Sequence, residues 1–117
     1  MMPAHDNTMS DNPLLALCTC PDAETADRLA SALVEERLAA CVNILPGITS
    51  VYHWRGQVER DDEVLLLIKT VAARFAALSE RLVALHPYEV PEVIATPITA
   101  GLPAYLDWMS ACTIGDR

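Results

Sequence analysis

Residues 41–70 read as two long strands that meet at a tight turn. Cys41-Val-Asn-Ile-Leu45 leads through Pro46-Gly47 into Ile48-Thr-Ser-Val-Tyr-His-Trp54. Arg55-Gly56 then stands where a hairpin reverses. The return starts near Gln57, passes a charged stretch over 59–63 and ends in Val64-Leu-Leu-Leu-Ile-Lys-Thr70. A Pro-Gly pair inside a strand pattern marks a bulge or bend, because proline cannot donate to the ladder. Two strands of this length overshoot the core that one small domain builds, so the tip of the ribbon must pack on something. That geometry favours pairing between subunits.

The flanking segments complete the order of elements. Leu14-Leu-Ala-Leu-Cys-Thr-Cys20 is short, apolar and bounded by Pro13 and Pro21, which fits a buried strand. From Asp22 the period changes: Ala23, Ala26, Leu29, Ala30, Leu33 and Val34 follow helical spacing, with charged residues opposite. Asp22 beside Pro21 is a start signal, and the helix is expected to run to about Arg37. A second helix fits 72–85, with Ala72, Phe75, Ala76, Leu78, Leu82 and Leu85 in one stripe. Pro87 closes it by excluding its predecessor from helical geometry, which leaves His86 at the C-terminal end. Residues 92–97 read as a short strand. A last helix is expected over 104–112, with Tyr105, Trp108 and Met109 on its apolar face.

Strand, helix, strand, strand, helix, strand is the βαββαβ pattern of a ferredoxin-like fold. It predicts an α+β antiparallel sheet with two helices on one face, here followed by a short C-terminal helix. At 117 residues one domain is expected over 13–112, between a disordered tail over 1–12 and a frayed end over 113–117. The hydrophobic fraction is 52%, and a monomer of this size buries only about two-thirds of its unfolded surface. The excess fits a subunit interface or an unusually rich core.

A formal charge of −8 argues against nucleic acid and anionic membrane as partners, since both need a basic face. The longest apolar runs, over 14–18 and 64–68, hold five residues each, whereas a membrane span takes about 20. The start lacks the cationic and apolar regions of a secretory signal, so a cytoplasmic protein is expected. Cys18, Cys20, Cys41 and Cys112 are expected to be reduced. Enzyme signatures do not stand out. The four glycines are isolated, and there is neither a Gly-x-Ser-x-Gly elbow nor a His-Glu-x-x-His helix, so no enzymatic activity is expected.

Soft-metal donors are the one chemically distinctive set: Cys18, Cys20, Cys41, His53, His86 and the methionines. Strand alternation points Cys18 and Cys20 to the same face, either into the core or outward. Each cysteine also reads as a small buried hydrophobe, and His86 also reads as a helix cap. His53 lies in the hairpin arm, where a packing role competes. Lys69 closes an otherwise apolar strand and needs a partner, with Glu89 and Glu92 as candidates for an ion pair, or else an anion site.

Several runs together resemble the CutA divalent-cation tolerance proteins. They are Leu17-Cys-Thr-Cys-Pro-Asp22, Ala39-Ala-Cys-Val-Asn43, Pro46-Gly-Ile-Thr-Ser-Val-Tyr-His-Trp-Arg-Gly56, Leu67-Ile-Lys-Thr70, His86-Pro-Tyr-Glu-Val-Pro-Glu92 and Tyr105-Leu-x-Trp108. In order and spacing they cover residues 14–112. The resemblance implies a cytosolic homotrimer of ferredoxin-like subunits, with the hairpins making intersubunit sheets. It also implies a link to copper and other divalent metals as bound ions and partners. The family's proposed ligands are a first-strand cysteine, which maps to Cys18, and two adjacent histidines before Pro-Tyr. His86 matches the second of these, and Leu85 stands in place of the first. Cys20 is a chemically reasonable substitute donor. The resemblance further points to an intersubunit cleft with Cys41, Trp54, Lys69, Tyr88 and Glu89. An alternative is a signalling trimer like the nitrogen-regulatory PII-like proteins, holding a small metabolite in that cleft.

Overall fold

The computed structural model describes residues 12–114. In chain order the elements are β1 (Pro13–Cys20), α1 (Ala23–Glu35), β2 (Cys41–Trp54), β3 (Gln57–Val71), α2 (Ala72–Leu85), β4 (Ile94–Pro97) and α3 (Pro103–Thr113). The four strands form one antiparallel sheet in the order β2-β3-β1-β4, so the expected ferredoxin-like α+β arrangement is present. Of the tail expected over 1–12 and the frayed end expected over 113–117, residues 1–11 and 115–117 lie outside the described residues.

Alternation along the strands sets which side becomes the core. Ala16, Cys18 and Cys20 of β1 are buried, as are Val64, Leu66 and Ile68 of β3, and all six join one cluster with Leu29 and Leu33 of α1 and Leu78 and Leu82 of α2. Both cysteines therefore point inward. Only Leu78 and Leu82 of the α2 stripe are fully buried, while Phe75 and Leu85 pack at the cluster's margin.

Helix α1 starts where the acid predicts it. Asp22 stays extended at φ −156° and its carboxylate accepts the Thr25 N–H at 2.8 Å, a cap worth about 1 kcal/mol. The helix ends at Glu35, short of the expected Arg37. Arg37 takes a left-handed φ of 59°, and the Leu38 N–H returns to the Leu33 carbonyl at 2.9 Å, which closes the helix.

The ribbon is as long as the sequence requires. β2 and β3 hold 14 and 15 residues, and the molecule measures 52 Å along its long axis against 26 and 24 Å across. Arg55 and Gly56 form a two-residue turn with φ of 52° and 80°, positive at both positions as a hairpin twisting with its strands demands. The Pro46-Gly47 pair shifts the register between Leu45 and Ile48, as a bulge does.

The last helix departs from expectation in two ways. It reaches Thr113, whose hydroxyl donates to the Met109 carbonyl at 2.9 Å and whose own carbonyl accepts from Arg74 Nε at 2.9 Å. Of its supposed apolar face only Met109 is buried. Tyr105 and Trp108 remain 40% and 44% exposed, their rings tilted by 40° with centroids 5.4 Å apart.

Candidate metal centre

Three donors from two distant parts of the chain meet under the sheet. The ligand atoms of Cys18, Cys20 and His86 lie within 4.8 Å of one another, and all three residues are buried. Both cysteines arrive by strand alternation. His86 arrives because α2 ends there: its own N–H still bonds the Leu82 carbonyl at 2.8 Å, while ψ has turned to 139° ahead of Pro87. Arg28 of α1 donates to the Leu85 carbonyl at 3.2 Å and so ties down the same helix end.

Two hydrogen bonds fix the His86 ring. The Tyr88 N–H donates to Nδ1 at 3.1 Å, and Nε2 lies 2.8 Å from the Thr19 carbonyl oxygen. A backbone N–H only donates and a carbonyl only accepts, so Nδ1 is bare and Nε2 carries the proton. The imidazole in this arrangement is neutral, and its centroid lies 4.7 Å from that of the Tyr88 ring, tilted by 44°. The pairing of β4 with β1 stops at Leu17, and His86 takes the place of a strand partner at Thr19.

The two thiols share their protons unequally. A hydrogen bond to Cys20, then burial, pushes Cys18 far above the ordinary thiol range, with Glu92 and Glu63 adding to the effect. The same hydrogen bond from Cys18 lowers Cys20. Cys20 is therefore the thiol that ionises first, and Cys18 gives up its proton only to a strong competitor. Sulfur, sulfur and imidazole nitrogen make a donor set for a soft cation, so the residues present fit a copper-like ion. Using Nε2 as a ligand requires the bond to Thr19 to open and the Nε2 proton to leave.

A cleft of about 790 Å³ lies between the hairpin arm and the loop after α2, and Thr19 belongs to its lining. Trp54, Tyr88 and Glu89 line it together with Tyr52, Glu63 and Glu92. The Tyr88 hydroxyl donates to Glu63 Oε2 at 2.5 Å. Burial, then this bond, holds the phenol well above its usual range. Arg55 pairs with Glu89 at 2.8 Å and sits 5.2 Å over the Trp54 ring. The Tyr52 hydroxyl donates to Asp61.

Cys41 and Lys69 do not line this cleft of the single chain. They face each other across β2 and β3, thirteen positions along β2 from Trp54, which is about 40 Å of strand. Lys69 does not pair with Glu89 or Glu92. Its ammonium donates to Asn43 and approaches Cys41 Sγ at 4.0 Å, because strand register puts those two side chains on its own face. The Tyr105 phenol is raised by burial and by its contact with Cys41. Neither Cys41 nor the exposed His53 joins the buried trio among the described residues.

Sequence reasoning missed Glu63 and the Thr19 carbonyl. Glu63 sits inside a charged run that reads as solvated, yet it is only 8% exposed. Its one signal was direct contact with the apolar run that begins at Val64.

The profile described as CutA1 divalent ion tolerance protein matches residues 14–112. A Thermus thermophilus divalent-cation tolerance protein CutA is 57% identical over 95 residues, covering 81% of this chain and 92% of that protein. Protein CutA of Mus musculus is 51% identical over 84% of this chain, which spans 55% of the mouse protein's length. The crystal structure of CutA from Xylella fastidiosa superposes with a TM-score of 0.85 at 47% identity, covering 87% of this chain and 98% of that one.

Proposed function

This chain belongs to the CutA1 divalent ion tolerance family, and from that premise we propose a non-enzymatic, homotrimeric cytosolic protein that binds copper or another divalent metal through Cys18 and His86, with Cys20 as third donor. The observation that carries the metal reading is the convergence of these three buried donors within 4.8 Å. Cys20 offers its sulfur most readily, Cys18 adds a second thiolate once its proton is displaced, and His86 Nε2 offers a lone pair once its bond to Thr19 opens and its proton has left. A bound soft cation would supply the charge that neutralises the two thiolates. Relatives named for tolerance rather than for a reaction support the non-enzymatic reading.

The hairpin supports assembly. Ile44, Leu45, Val51, Trp54 and Val58 are all at least 39% exposed, and β2 is an edge strand whose outer backbone groups need a partner. Among the described residues no helix is long and apolar enough to cross a membrane. A second reading, a PII-like signalling trimer with a metabolite in its cleft, draws on the cleft between the arm and the 86–92 loop.

The test is isothermal titration of copper, without oxygen, into the wild type and into Cys18→Ser and Cys20→Ser, with sedimentation equilibrium on the same samples. Binding that weakens in both variants, on a species of three chains, is expected. Identical isotherms in all three proteins would remove the trio from the site.

A further inference from the structure

The cleft has two halves built from the same kinds of group. In the outer half a cation is already held between an aromatic face and a carboxylate: the Arg55 guanidinium lies 5.2 Å over Trp54 and 2.8 Å from Glu89. The inner half repeats the pattern with Tyr88, Glu63 and Glu92, and no Lys or Arg besides Arg55 belongs to the lining. Glu63 is more than nine-tenths buried and lines the cleft. Its Oε2 accepts the Tyr88 hydroxyl, and among the described residues nothing donates to Oε1 and no Lys or Arg pairs with it. A buried carboxylate served by one neutral donor is costly unless a cation compensates it. Across the lining, Glu63, Glu89 and Glu92 face Arg55 as the one Lys or Arg.

A bare hard cation fits poorly. Calcium takes six to eight oxygens and magnesium a tight octahedron. Among the described residues only Cys18, Cys20 and His86 bring three ligand atoms together, so the cleft carboxylates do not converge as a chelate. Separated carboxylates beside aromatic rings suit a cation whose charge is spread over an organic group.

We propose that the inner half of this cleft binds a small organic cation, a primary ammonium or guanidinium group, with Glu63 as its buried counter-ion, Glu92 at the mouth and the Tyr88 ring beside it. The proposal goes beyond the metal reading and stands on different residues. Two sources share this chemistry, a free amine and a Lys or Arg side chain of a second copy.

The test titrates agmatine and spermidine into the wild type, Glu63→Gln and Glu92→Gln at matched ionic strength, following tryptophan fluorescence and heat, with sedimentation of each protein alone. Saturable binding that weakens at least tenfold in Glu63→Gln and several-fold in the exposed-site variant Glu92→Gln supports a free amine. Absence of amine binding together with dissociation of the Glu63→Gln assembly supports the same cation site filled by a sister chain. Absence of binding with unchanged assembly, or equal affinity in all three proteins, overturns the proposal. Copper titration of the same variants reads the metal site separately, so failure of one reading is not mistaken for failure of the other.

Discussion

His86 Nε2 lies 2.8 Å from the carbonyl oxygen of Thr19, the residue between the two buried cysteines. This bond makes His86 a structural residue and a metal donor in waiting, and the two roles separate experimentally. In metal-free protein, His86→Ala leaves the Thr19 carbonyl and the Tyr88 N–H without their partner. Each buried polar group left unpaired costs about 1–3 kcal/mol. Urea denaturation is expected to show a loss of about 2–4 kcal/mol with no metal present. A variant as stable as the wild type would contradict the hydrogen-bonded placement.

Metal affinity should rise with pH. The Cys18 thiol is held far above its ordinary range by Cys20 and by burial, so it keeps its proton at neutral pH and a cation must displace it. Competition against a chromophoric chelator at pH 6.5 and pH 8 is expected to give tighter copper binding at the higher pH, by up to about tenfold per unit for each proton displaced. In Cys18→Ser that slope should shrink. A pH-independent affinity in the wild type would argue against thiolate ligation.

Assembly should depend on the ribbon tip. Trp54 is 39% exposed on the single chain, and its partner Gln57 closes the hairpin. Trp54→Arg places a second cation beside Arg55 and a charge where an interface would exclude water. Sedimentation velocity is expected to shift towards smaller species. An unchanged profile would move Trp54 out of the interface.

Alkaline pH should loosen the hairpin. The Tyr52 hydroxyl donates to Asp61, which pushes its phenol from 10.0 up to about 12. A group raised in the folded state contributes fully below its unfolded value, and that contribution is lost as pH climbs through the folded one. The window here is pH 10 to 12. Absorbance titration at 295 nm should show late phenols, one of which disappears in Tyr52→Phe while the Tyr88 phenol stays late. A late phase of unchanged amplitude in Tyr52→Phe would show that the bond is absent.

The parts of the fold that were legible rest on local physics. Asp22 caps α1 because its short carboxylate reaches the Thr25 N–H, Arg55-Gly56 turns because both positions tolerate positive φ, and Pro87 ends α2 whatever surrounds it. Within the candidate site, alternation put Cys18 and Cys20 on one face, and the proline placed His86 at a helix end. Resemblance suggested Cys18 with His86, and the donor chemistry suggested Cys20.

Other features were set by contacts far apart in the chain. Neither period nor spacing reports that His86 lands on Thr19, because that depends on how α2 crosses the sheet. Glu63 looked solvated until the loop carrying Tyr88 folded over it. Lys69 found Asn43 and Cys41 because β2 pairs with β3 in one register, which no run of residues states by itself. Local sequence determined which elements form and which faces are apolar, since turns, caps and side-chain alternation are settled within a few residues. Tertiary structure alone decided which polar groups meet, since their partners lie on separate elements and find each other only after the core has closed.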